Sequence, residues 1–367
     1  MKERARRPAI ARTAQDPDAP PAERPGKGGL ALALGVLLAV PAASLGLAAE
    51  RAALVTTPHF AFYDDFATNL NDALIAAGVE RNFDRPELFH SGAEESCFGE
   101  LPPSARAGWN RAVDYYAEII SPAGFDDRQQ LLPRLQLAGL GESVQDDGAR
   151  RFVEIARGFR AAAAPAYEAC RWRAQDEENR LWIEALQSQL AAHEETIARR
   201  LEELYGTPWD GLPIPVDVVE TVSWRGANSV ILYPAGGHIL ISSSYEGQAA
   251  LEIVFHEASH LLMDRGDPVQ RALAEAASAL GMPRPDDLWH VVLFYTTGET
   301  VRRVLEEAGD PEYTPMIYSI FERSSWVRYR DALEGTWPAY LKGERTLPEA
   351  AAELMAAVGE GAGHEER

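Results

Sequence analysis

His256, Glu257, Ala258, Ser259 and His260 follow one another in the chain. On an α-helix a spacing of four residues is slightly more than one turn, so both imidazoles project from one face and can donate to a single metal ion. Glu257 is rotated by about 100° from His256. Its carboxylate can therefore reach a water at the metal without ligating, which is the position of a general base in metal-assisted hydrolysis. Zn²⁺ is the expected ion, because imidazole nitrogens suit it and it lowers the pKa of a water to about 7. Glu252 and Asp264 lie one turn before and one turn after the pair, where each could hydrogen-bond a ring.

The surrounding residues predict a buried helix. Leu251, Ile253, Val254, Phe255, Ala258, Leu261, Leu262 and Met263 make it largely apolar, and buried paired histidines without a metal would be costly to leave unsatisfied. Ser243, three residues before Glu246, is a capping-box pattern that predicts where this helix starts, and Gly266 marks its end. Upstream, the β-branched content of 216–222 and 229–233 favours strand. A turn at 234–237 leads into a further strand at 238–242, giving a small antiparallel sheet before the motif helix. Downstream, helical periodicity covers 269–280, 288–308 and shorter stretches to about 358.

Between about 58 and 206 the chain reads as helices, at 106–120, 126–137, 149–164 and 173–205, with Pro165 expected to end or kink the third. His193 shares the apolar stripe of the fourth and reads as a packed histidine. The expected fold class is α+β, predominantly helical, with a helical N-terminal region over 50–207 and a catalytic region over 208–359. Residues 1–28 and 360–367 read as disordered.

A catalytic zinc needs a third protein ligand. A third histidine in the metzincin pattern would fall at 266, which is glycine, and Met263 stands where that pattern has glycine. The chain instead resembles the gluzincins, zinc peptidases in which H-E-x-x-H is followed by a glutamate on a second helix. The resemblance covers the hairpin, the motif helix and the helix over 288–308, roughly a third of the chain, and it departs from thermolysin-like members at Arg303, where those often carry aspartate. It implies Glu299 as the third ligand, an acid in an otherwise apolar run beside Gly298, with Glu275 the competing candidate. It also implies an edge strand that binds substrate backbone, a place residues 238–242 fit. Tyr295, one turn before Glu299, is the first choice for stabilising an oxyanion, with Tyr313 and Tyr318 unplaced. His290, nine residues before Glu299, would point to the opposite side of a continuous helix.

Residues 29–49 carry no charge and are long enough to cross a bilayer, so they read as a cleaved signal peptide or a membrane anchor. The seven Lys/Arg against four Asp/Glu before them predict that the folded part is extracytoplasmic. There Cys97 and Cys170 could pair, or remain two buried thiols. A net charge of −21 argues against nucleic acid as a partner. The expected function is an extracytoplasmic zinc peptidase acting on a peptide or protein. The alternatives are a binding module with a structural or vestigial zinc site, and a zinc hydrolase of a non-peptide amide.

Overall fold

The structure, a computed structural model, describes residues 52–83, 92–123, 128–138, 147–209, 212–222, 226–232, 236–263 and 267–365. The expected disordered segment 1–28, the signal or anchor 29–49, Asp264 and Gly266 lie outside the described residues. Among the described residues no helix is long and apolar enough to cross a membrane.

The chain is predominantly helical α+β. Two short strands come first, β1 (Val55–Thr56) and β2 (Phe60–Tyr63), followed by α1 (Phe66–Phe83), α2 (Gly92–Glu100), α3 (Pro103–Tyr115), α4 (Arg128–Leu137), α5 (Asp147–Tyr167) and α6 (Arg173–Tyr205). Local chemistry fixes several of these ends. Asp65 Oδ2 accepts from Thr68 N at 2.8 Å ahead of α1, Pro103 opens α3, and Gly206 closes α6 with a left-handed φ of 64°. Pro165 does not end α5. The helix continues to Tyr167 and then widens into a π turn over Glu168–Trp172, which shifts the hydrogen-bond register shortly after the proline that cannot donate.

Three further strands, β3 (Ile214–Val219), β4 (Ala227–Leu232) and β5 (Gly236–Ser242), precede α7 (Gln248–Leu262). The sheet is mixed rather than antiparallel, in the order β1-β2-β3-β5-β4. β2 pairs parallel to β3 and β3 parallel to β5, while β4 pairs antiparallel to β5. The difference has two sources: β3 pairs in parallel with β5, and residues 60–63, read as the edge of a helical region, form a strand once their long-range partner at 214–217 is in place. Residues 238–242 are interior, between β3 and β4, and the edge strands among the described residues are β1 and β4.

The motif helix also starts later than the capping box predicts, after Gly247 at a φ of 57°. Residues 243–246 are drawn onto α6 instead, where Gln175 Nε2 donates to Ser243 Oγ at 3.0 Å and Trp182 Nε1 to the Tyr245 carbonyl at 2.7 Å. The remaining helices are α8 (Pro268–Ala279), α9 (Leu288–Glu307), α10 (Met316–Phe321), α11 (Val327–Leu341) and α12 (Leu347–Glu365), the last running past residue 360, where a tail was expected.

Two apolar clusters organise these elements. One, built from Leu70, Leu74, Trp109, Tyr116, Ala163 and Tyr167 among others, joins α1, α3 and α5. The other takes Phe60 and Phe62 from β2, one face of the sheet, and α6 to α12, so the N-terminal strands and α6 share a core with the motif helix. Cys97 on α2 is disulfide-bonded to Cys170 in the π turn. With a sequence separation of 73, closing that loop limits the unfolded chain, and the double variant Cys97→Ser/Cys170→Ser should unfold with about 4 kcal/mol less stability in denaturant titration.

Candidate metal centre

Helices α7 and α9 cross antiparallel, so that His260 meets His290 near one end of the contact and Glu252 meets Gly298 near the other. Small and hydroxyl residues let them approach. A Cβ on Gly298 would lie 2.8 Å from Cβ of Pro315 and 3.1 Å from Oε1 of Glu252. Buried hydroxyls tie the crossing to α6: Thr297 Oγ1 donates to Ser259 Oγ at 3.1 Å, and Tyr205 Oη lies 3.1 Å from Thr297 Oγ1. Each satisfies a polar atom that the apolar core could not solvate.

At this crossing three imidazoles converge. One ring nitrogen from each of His256, His260 and His290 lies within 4.8 Å of the others. His256 Nε2 and His290 Nε2 are 3.4 Å apart. His256 is buried, and its Nδ1 has no hydrogen-bond partner. Burial holds the His256 pKa well below the usual imidazole value, and the neighbouring His260 and His290 push the same way. The ring is thus neutral at physiological pH, the state a ligand needs. Three imidazoles with converging ring nitrogens, the buried one held neutral, are a donor arrangement that could hold a metal ion.

His290 occupies the place expected of Glu299. Nine residues at about 100° each put the two on opposite sides of α9, and the side facing α7 carries His290, Phe294, Thr297 and Gly298. The Glu299 carboxylate is buried elsewhere, accepting from Arg302 at 2.8 Å and from Tyr318 Oη at 3.1 Å. Tyr295 is with it: its ring packs on Tyr318 at 6.4 Å, and burial raises its pKa, so its hydroxyl stays protonated. No ring contact joins Tyr295 to the three histidines among the described residues. Glu275 is exposed on α8, and His193 is half-buried on α6, neither in the histidine group.

Glu257 is buried beside the group and faces the sheet. Ser229 on β4 shares its hydroxyl between the main-chain oxygen of Glu257, at 2.7 Å, and the Glu257 carboxylate. The edge strand and the prospective base are therefore linked directly. Glu252 does not bond the imidazoles. Its carboxylate receives Tyr313 Oη and the Met316 amide at 3.1 Å, fastening the segment after α9 to the motif helix.

No protein-family model, curated protein or solved structure matches this chain.

Burial pushes the Glu252 pKa up to about 7, the hydrogen bonds from Tyr313 and Met316 oppose the rise, and the Glu299 charge adds to it. A carboxyl whose folded pKa lies above its unfolded value near 4.5 binds more protons folded than unfolded in between. Its contribution to stability is complete below about 4.5 and is lost as pH rises through about 7. Stability measured by urea titration should fall across that window, and Glu252→Gln should flatten the decline; an unchanged slope would assign it to other groups.

Proposed function

We propose that this protein is a zinc-dependent hydrolase acting on peptide bonds outside the cytoplasm, with His256, His260 and His290 as the zinc ligands and Glu257 as the general base. The observation that carries the reading is the convergence of His290 on the two motif histidines, because it completes three imidazole donors, the number a catalytic zinc takes from protein. When bound there, zinc supplies a Lewis acid that polarises a carbonyl and makes a water acidic enough to lose its proton near neutral pH.

The chain's own groups supply the rest. Glu257, adjacent to His256, takes the proton from the attacking water and passes it to the leaving nitrogen, so that the amine departs neutral. Ser229 holds that carboxylate and its main chain in place. Among the described residues β4 has no strand on its outer side, so an extended peptide can pair there, and because Ser229 lies on this strand, a paired backbone passes beside Glu257. The Cys97–Cys170 disulfide supports an oxidising compartment, in keeping with the composition of residues 1–49.

Metal analysis of the purified protein should find close to one zinc per chain. His290→Ala should lower zinc retention by tenfold or more in competition with a chelator, while Glu299→Ala keeps it; the opposite pattern would return the third ligand to Glu299. Glu257→Gln should retain zinc and lose at least a hundredfold in turnover of a peptide substrate, and undiminished turnover would remove Glu257 from the mechanism.

A further inference from the structure

Aromatic rings stand against the histidine group from α9 and from the turn before α11. The Phe294 ring lies on His256 at 3.6 Å between centroids and is buried. Trp289 stacks beside His290 at 5.1 Å and an interplanar angle of 22°, and meets His260 edge-on at 5.7 Å. Trp326 meets the same His290 from another side at 5.2 Å and 78°, and touches Phe294 at 6.3 Å. Phe294 is core. Trp289 and Trp326 are half-buried, each packing partly on the core while standing against the histidine group.

Trp326 is held in its orientation. Its Nε1 donates to Asp287 Oδ2 at 3.0 Å, and Asp287 also accepts from Arg328 at 2.8 Å and from Tyr329 Oη at 2.7 Å. The polar edge of the ring is thus satisfied within the protein, leaving its apolar faces to make contacts. The Asp287 charge is offset by Arg328, so it offers little attraction to a cation. A metal held by three neutral imidazoles keeps its positive charge, which repels a cationic side chain nearby. An acidic side chain would have to lose water against two indoles. An apolar side chain meets neither cost, and an aromatic one adds edge-to-face contacts with the indoles.

Resting on the reading of the site as a peptide hydrolase, we infer that Trp289 and Trp326 form a side-chain subsite beside the metal that selects substrates with an aromatic residue next to the bond cleaved. The two rings contribute dispersion and edge-to-face contacts that a small or charged side chain cannot match. They do not touch the reacting atoms and act on specificity.

The test uses the full-length, zinc-loaded protein and a peptide series varied at each residue flanking the scissile bond through Phe, Leu, Ser, Lys and Asp. Phe should exceed Ser and Lys by tenfold or more in kcat/KM at one of the two positions. Trp326→Ala should compress that ratio to threefold or less with zinc content unchanged, and Trp326→Phe should restore most of it. In parallel, calorimetry compares binding of N-acetyl-phenylalaninamide and N-acetyl-serinamide to the wild type and Trp326→Ala. Hydrolysis without an aromatic preference, or a preference that survives Trp326→Ala, would overturn the subsite and leave the hydrolase reading intact. If no peptide is cut but the phenylalanine ligand binds at least tenfold better and loses that advantage in Trp326→Ala, the subsite stands and the peptidase reading fails. Equal binding of the two amides without any cleavage would sink both.

Discussion

The close crossing of α7 and α9 is the constraint on which the rest of the structure depends. Gly298 leaves room for the Glu252 side chain, Thr297 bonds Ser259 across the crossing, and these contacts set which side of α9 faces the motif histidines. Because the phase of a helix is fixed once one contact is fixed, Gly298 against Glu252 also fixes His290 against His256 and His260. The same phase turns Glu299 and Tyr295 away. The sheet performs the complementary task from the other side of α7, with Ser229 on β4 holding Glu257.

Around this crossing the protein spends polar groups sparingly and in pairs. Glu252, fully buried, is satisfied by Tyr313 and the Met316 amide, and Glu299 by Arg302 and Tyr318. The lone exception among these groups is Nδ1 of His256. The other nitrogen of that ring, Nε2, is the one turned toward the neighbouring imidazoles, 3.4 Å from His290 Nε2.

The motif itself was legible in the sequence because its geometry is local: a spacing of four on an apolar helix needs no knowledge of the fold. The helical phases of α9 were legible too, since His290 and Glu299 are separated by half a turn whatever the tertiary structure. What could not be read was which of the two faces α7, because that depends on packing across 34 residues of chain. Gly298 narrows the choice little. A glycine marks the side of close approach, and His290 lies about 80° from it on the helix surface while Glu299 lies about 100° away on the other side. The strands failed for a related reason. β2 is four residues long and becomes a strand only through pairing with residues distant in sequence, and it is the parallel pairing of β3 with β5 that moves β5 into the interior and leaves β4 at the edge. At residues 243–246 the local capping preference lost to tertiary hydrogen bonds from Gln175 and Trp182 on α6.

The central claim is that three imidazoles, and no carboxylate from α9, surround one metal. X-ray absorption at the zinc edge of the loaded protein tests it most directly. The account predicts scattering from three histidine rings at about 2.0–2.1 Å with a light-atom ligand completing the shell. A shell of two histidines plus a protein carboxylate, lost on changing Glu299 and retained on changing His290, would contradict it.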